Sequence, residues 1–541
     1  IYPFSEDVST FIVECDPDTW RKAGLDAVDA SQLAPGESDE ASIRYVEELF
    51  ADHLDGHRLV ANNSKWIDWT TVTNEAWHHR NVVLLGDSAH TAHFSIGSGT
   101  KLAMEDAMAL ADALALHDDV EEALDAYVSD RMPVTEAIQR AAGESLEWFE
   151  RYARYWSFDA PQFTYSLLTR SKRVDYENLR KRDLELVDNL DRWYAGACRG
   201  GPAPAVPRPP TANPVRLGSV ELVNRIAHVT DADRAARDGS ASDDHLADVA
   251  TWARADVGLV LADAVAVSPT ARATPADAGL WSDEHVARWR TALDADRDDQ
   301  RALVGVRLLH AGPRGATRPR EHGIDLPLPS KAAWPIVAAT ATPYSSIART
   351  PAALDADGMA QVRDEFVAAA RRAADAGFDA IELHAGHGYL LASFISPLTN
   401  ARDDEYGGDV FGRLRFPLEV FEAVRDAWPE DRLLSVCFSA SDLEPGGLST
   451  ADALEVARQL RQHGADLLHV VSGQTTPRSR PEFSTGFNAE WSDLVRNETG
   501  APVMTSGNLP SVADINHVLL GGRADVAALG RPLPARPDWL A

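Results

Sequence analysis

Two stretches of the chain hold residues whose types and spacing could do chemistry. In His384-Ala385-Gly386-His387-Gly388-Tyr389, two imidazoles and a phenol fall within one short run. Imidazoles three residues apart on a turn can both face one oxygen and polarise a carbonyl, while a nearby phenol can deliver a proton to the adjoining carbon. Metal binding is the rival reading, but no obvious third ligand accompanies the pair. A lone histidine is most often a satisfied core residue, and a pair in a glycine-rich loop is less readily explained that way. The second stretch is Gly86-Asp87-Ser88-Ala89-His90, followed by Gly97-Ser98-Gly99-Thr100 and then Glu105-Asp106. The Asp87 carboxylate can accept hydrogen bonds from a polyhydroxylated chain. The amides near Gly97, Gly99 and Thr100 open a helix whose positive end favours anionic oxygens. A bare Gly-Asp turn is more often only a strand–turn–helix junction, so this reading depends on the longer string.

The elements around the histidine pair are legible from hydrophobic pattern. Short apolar runs at Leu222–His228, Gly258–Val267, Leu303–His310, Ala380–His384, Leu433–Phe438, Leu467–Val471, Pro502–Thr505 and Val526–Leu529 alternate with amphipathic stretches such as Gly358–Ala376, Arg413–Ala427, Thr450–His463 and Ser511–Leu520. Repeated strand–helix units of this kind predict a (β/α)8 TIM barrel over 215–541. His384 then ends the fourth strand, on the rim where barrel sites are built. A doubly wound sheet is the competitor, but no glycine-rich dinucleotide turn follows the first strand. The expected order is residues 1–142, an α/β domain with a buried strand at Asn81–Leu85; 143–199, a helical extension rich in aromatics such as Trp148 and Tyr155; and 200–214, a proline-rich, semi-rigid linker.

Composition limits the partners. Asp and Glu total 83 against 52 Lys and Arg, for a net charge of −31. Such a surface disfavours nucleic acid and anionic membranes, and it suits solubility in high salt. No apolar run is long enough to span a bilayer, and no signal peptide is visible. Cys15, Cys198 and Cys437 are far apart and form no CxxC, so a cysteine-held metal is not expected and a reducing cytoplasm is the default.

The string from Gly86 to Ala107 resembles the second FAD motif of the aromatic-hydroxylase flavoprotein monooxygenases, in particular the two-flavin aryl-CoA monooxygenase/reductases of the salicylyl-CoA and anthraniloyl-CoA type. That resemblance implies that Asp87 contacts the FAD ribityl chain, with the Gly97, Gly99 and Thr100 turn beside the flavin. The GxGxxG unit that opens such domains is missing here, and the expectation is an incomplete FAD site. The run Phe378–Gly412 resembles the old yellow enzyme family of FMN-dependent ene-reductases. This implies that His384 and His387 bind a substrate carbonyl and that Tyr389 donates a proton. It also implies that Ser506, Gly507, Asn508, Gly530 and Arg531 hold the FMN phosphate, and that Ala264 lies under the flavin edge. Three positions depart from that family: Arg307 where Gln is usual, Cys437 where Arg is usual, and His228-Val229-Thr230-Asp231 where Ser-Pro-Met is usual. Arg307 could restore the charge lost at Cys437, in which case FMN binding is kept. Together the two resemblances imply a flavin-dependent oxidoreductase that hydroxylates and reduces an aromatic acyl-CoA with O2 and NAD(P)H, and they are compatible with a homo-oligomer. The alternatives are a free-standing ene-reductase with a vestigial front domain and a scaffold that has lost its flavin.

Overall fold

A computed structural model describes residues 2–29, 32–295 and 297–530. Arg531 lies outside the described residues. By contacts the chain divides into two compact units, Ile1–Ser157 with Leu167–Val174, and Phe158–Ser166 with Asp175–Ala541.

The second unit is built on eight parallel strands: β1 (Ile226–Val229), β2 (Leu259–Ala266), β3 (Leu303–Leu309), β4 (Ala380–Ala385), β5 (Leu433–Ser439), β6 (Leu467–Val471), β7 (Val503–Thr505) and β8 (Val526–Leu529). They close into a barrel, with β8 pairing back onto β1 through Leu529 and His228. Every residue of β4, β5 and β6 is buried, because one face meets the barrel axis and the other meets helices. This is why these strands read as continuous apolar runs. The helices are delimited by local chemistry. Before Ala356–Ala376, for example, the Asp355 carboxylate accepts from the Gly358 amide, and Gly377 ends the helix in the left-handed conformation.

The expected first strand, Leu222–His228, is divided. Val220–Leu222 pairs with Val215–Leu217 in an antiparallel hairpin, and the barrel strand begins only at Ile226. The proline-rich stretch is not a free tether at its end. Pro210, Thr211 and Asn213 are buried, and the Thr211 amide donates to Asn516 Oδ1 at 3.0 Å. The helices Tyr176–Arg182 and Leu184–Arg199 belong to the barrel unit, where the Arg225 guanidinium lies 5.1 Å from the centre of the Tyr194 ring.

In the first unit, α1 (Gly99–Leu116) packs against the 31-residue α2 (Val120–Glu150). Trp77, Ala89, Ala113, Ala123 and Tyr127 form their core. The expected buried strand Asn81–Leu85 is a correction. Only Val82–Val83 is extended in a ladder, paired with His78–His79, and Val82 is 65% exposed. Among the described residues this two-residue strand has one partner, so its other edge is left unpaired. No helix of the described residues is long and apolar enough to cross a membrane.

One barrel residue gives the fold a pH response. His228 on β1 is buried, its ring centre lies 4.3 Å from that of Trp252, and neither ring nitrogen has a hydrogen-bond partner among the described residues. Burial pushes its pKa down to about 4, with Asp231 opposing in part. The folded chain therefore keeps this ring neutral while the unfolded chain protonates near pH 6.5. Stability falls as pH drops through that window, by about 3 kcal/mol at pH 4. A His228→Leu chain is expected to lose less stability between pH 6.5 and 4 than the parent, as read from urea midpoints across that range.

Candidate active site

The His384–Tyr389 run, the expected carbonyl clamp, sits at the end of β4. Gly386 presses against Val471 and Ser439, Gly388 has a φ of +71°, and a Cβ at Gly388 would lie 2.8 Å from the carbonyls of Gln474 and Thr475. These glycines let the loop fold tightly under its neighbours. His387 itself is left-handed, with φ +56°, and its amide donates to Ser439 Oγ at 2.9 Å. The His384 ring lies 5.4 Å from His387 and 4.8 Å from Tyr389, crossing each nearly edge-on. The Gly386 amide donates to His384 Nδ1 at 3.2 Å, which places the neutral ring's proton on Nε2. Burial, reinforced by the Arg307 charge, holds His384 well below its usual pKa. Burial and Arg314 together hold His387 at about 3. Both rings are therefore neutral donors at pH 7, suited to hydrogen-bond an oxygen that gains negative charge. Burial raises the Tyr389 pKa and Arg314 opposes the rise, so the phenol keeps its proton.

Beneath the clamp lies a buried ionic network. Arg307 on β3 donates from Nε to Glu382 Oε1 at 2.6 Å, from Nη1 to Asp263 Oδ1 at 2.8 Å, and from Nη2 to His469 Nδ1 at 3.1 Å. Burial disfavours the Glu382 charge, but Arg307 and His469 outweigh it and hold the carboxyl at about 2. Burial raises the Cys437 thiol far above its usual value, so Cys437 is an inert neighbour of this network. Glu382, Cys437 and His469 bring ligand-type atoms within 4.8 Å of one another, and the Arg307 guanidinium already supplies a cation there.

Ser506, Gly507 and Asn508 follow β7, and Gly530 follows β8, so these residues meet on neighbouring strand ends. Gly507 and Asn508 both have positive φ, +111° and +49°. Ser506 Oγ contacts His469 Nε2 at 3.1 Å, which joins this rim to the ionic network. Ala264 has φ +54° at a bulge in β2, and its amide donates to Asp263 Oδ1 at 2.8 Å. These features fit FMN. The rim could take the phosphate, Ala264 offers a small residue at the mouth, and Arg307 keeps two of its five N–H donors beyond the three used in the network.

In the first unit, Asp87 lies on a short turn, Gly86–Ser88, and α1 begins at Gly99 with no side chain capping its first amides. Asp106 anchors this turn. It accepts from the Gly86 amide at 3.1 Å, His90 Nε2 lies 2.7 Å away, and Arg131 Nε donates to it at 3.0 Å. Gly97 is left-handed, with φ +62°, and leads into Gly99 and Thr100, which are exposed.

Residues 212–541 match the NADH:flavin oxidoreductase / NADH oxidase family. The chain belongs to this family. Residues 17–142 match an FAD binding domain. An NADPH dehydrogenase of Geobacillus sp. (strain WCH70) is 35% identical over 302 residues, covering 56% of this chain and 83% of that protein. A salicyloyl-CoA 5-hydroxylase of Streptomyces sp. is 46% identical over 233 residues, covering 42% of this chain. The present chain spans 43% of that hydroxylase's length in the match. Among solved structures, morphinone reductase superposes with a TM-score of 0.51 at 28% identity, covering 61% of this chain and 88% of that one. A 2-naphthoyl-CoA reductase shares the fold, with a TM-score of 0.54 at 22% identity over 61% of this chain and 51% of that one.

The protein is thus a flavin-dependent oxidoreductase of this NADH:flavin oxidoreductase family, an enzyme with FMN- and FAD-type domains. The structure brings His384, His387 and Tyr389 into one cluster, and Ser506, Gly507, Asn508 and Gly530 onto one rim. Arg307 lies beneath the clamp, as its strand position implies, but in ion pairs with Asp263 and Glu382. Sequence reasoning passed over Asp263, Glu382, His469 and Arg314. The signal available for Glu382 was a carboxylate inside an otherwise apolar strand, which requires a buried partner.

Proposed function

We propose that this flavoenzyme acts on an aromatic acyl-CoA, reducing an unsaturated ring next to a polarised carbonyl, with hydroxylation of the same substrate by O2 in the FAD-type domain. The observation that carries the reading is the convergence of His384, His387 and Tyr389 on the barrel rim. In it two neutral imidazole donors stand beside a protonated phenol. The 46% identity to a salicyloyl-CoA 5-hydroxylase supports the choice of acyl-CoA. Bound FMN, reduced by NAD(P)H, supplies a hydride. The chain's own residues do the rest. His384 and His387 hydrogen-bond the carbonyl oxygen and stabilise the negative charge that develops there. Tyr389 gives its proton to the carbon next to the one that receives hydride. Ser506, Gly507, Asn508 and Gly530 hold the phosphate, with Arg531 assigned to the same role. Asp87, Gly97, Gly99 and Thr100 contribute to the FAD side.

The test is NADPH-driven turnover of anthraniloyl-CoA in air, and of 2-cyclohexenone without oxygen, with products identified by mass. Tyr389→Phe is expected to slow cyclohexenone reduction about 100-fold while NADPH consumption by the oxidised enzyme persists. Equal reduction rates in the two proteins would refute the proton-donor role. A second reading, a free-standing ene-reductase, is favoured by the 83% coverage of the Geobacillus NADPH dehydrogenase. Turnover of cyclohexenone with no change in anthraniloyl-CoA would support it instead.

A further inference from the structure

The sharpest unassigned feature of the barrel mouth is Arg314. It ends the short turn Gly312–Arg314 after β3, and its side chain is 6% exposed. The turn is pressed onto the residue that follows Tyr389. The Leu390 amide donates to the His310 carbonyl at 3.0 Å, and a Cβ at Gly312, where φ is +57°, would lie 2.7 Å from Leu390 Cα. From this point Arg314 reaches across the clamp. Nη1 donates to the His387 carbonyl at 2.6 Å, while Nε and Nη2 donate to the two Asp325 oxygens at 3.3 and 2.8 Å. Its Cζ stands 4.5 Å from the centre of the Tyr344 ring and 5.2 Å from that of Tyr389.

We propose that Arg314 is the positioning residue of the clamp, fixing the left-handed backbone of His387 and setting the charge that the Tyr389 phenol experiences. Two features of the geometry support this. A non-glycine residue at φ +56° is strained, and a short charge-assisted hydrogen bond to its own carbonyl helps hold it there. A guanidinium over a phenol ring also favours the phenolate relative to burial alone. The other charges acting on Tyr389 are Asp325, paired with Arg314, together with Asp263 and Asp277, all of which disfavour the phenolate. The edge-on neighbour is the neutral His384 ring. Arg314 thus makes the phenol a better acid than its buried, carboxylate-facing surroundings would allow. Lysine cannot replace it, because one ammonium cannot hold the His387 carbonyl, chelate Asp325 and stand close to both rings at once.

This inference rests on the reading of Tyr389 as proton donor, and its test separates the two. Protein labelled at tyrosine with 13Cζ gives a phenol titration by NMR, with the Tyr389 resonance assigned by its loss in Tyr389→Phe. In Arg314→Met the Tyr389 midpoint is expected to rise by about one pH unit or more. In Arg314→Lys the rise is expected to be smaller, with a His387 ring shift that differs from the parent's. In Asp325→Asn, which leaves the guanidinium in place, the midpoint is expected to fall. Midpoints unchanged in the folded Arg314→Met protein overturn the proposal. If Arg314→Met does not fold, an unchanged midpoint in Asp325→Asn overturns it. Shifted midpoints combined with undiminished reduction by Tyr389→Phe would leave the Arg314 assignment standing and remove the proton-donor role.

Discussion

Replacing Arg307 by Met is expected to destabilise the barrel by about 3–5 kcal/mol, the typical cost of leaving buried charges without their partner. Glu382 is fully buried, and its side chain depends on Arg307 and Ser435 for hydrogen bonds. Asp263 is only partly buried and can turn toward water, so Glu382 bears most of the loss. The double substitution Arg307→Met/Glu382→Met is therefore expected to recover much of the stability, since an apolar pair of similar volume can replace a buried ion pair at little cost. Urea unfolding of the parent, the single and the double variants checks this. A single variant as stable as the parent would mean that the network does not hold the barrel floor. The same experiment bears on the flavin, because the network lies between the clamp and the Ser506 rim.

The second large effect concerns the clamp. His384→Ala and His387→Ala each remove a neutral donor from the oxygen that gains charge, and each is expected to lower the rate of carbonyl-activated reduction by about 100- to 1,000-fold. Under the proposed function the two rings share one oxygen, so the double variant is expected to fall well short of the product of the single effects. Single-turnover reduction of 2-cyclohexenone by the pre-reduced enzyme isolates this step from reduction by NADPH. Phenol titrations of the oxidised enzyme give an independent reading. A long-wavelength band is expected with the parent and is expected to be weaker in both variants. Unchanged bands and rates would mean that the histidines serve packing alone.

How far the sequence reveals this protein differs between its parts. The barrel strands were legible because parallel strands buried on both faces become short apolar runs, and Leu467–Val471 and Val526–Leu529 match the expected limits residue for residue. The histidine pair was legible because its glycines and its place at a strand end are local facts. The ionic floor was not, since Arg307 meets partners 44, 75 and 162 residues away, and charge alone does not say which strands face one another across a barrel. The departure at Arg307 was visible, but not that the guanidinium would be paired with two carboxylates. The stretch 143–199 was recognisable as helical and was expected to fasten the first domain, but helical spacing does not name the surface that covers it, and Tyr176–Arg182 and Leu184–Arg199 fall in the barrel unit. Asn81–Leu85 misled for a related reason. Its apolar residues suggest a covered strand, whereas the ladder it joins has only two residues on each side. Arg314 escaped notice because its targets are a carbonyl, a carboxylate and two rings, and none of them leaves a mark in sequence spacing.

The central claim, that this barrel is a working flavin site despite Arg307 and Cys437, is tested most directly by releasing flavin from the purified, folded protein and separating FMN from FAD. The expected result is about one FMN per chain, the stoichiometry of a single barrel site. A folded barrel that carries no FMN, and takes up none when FMN is supplied, would contradict the account.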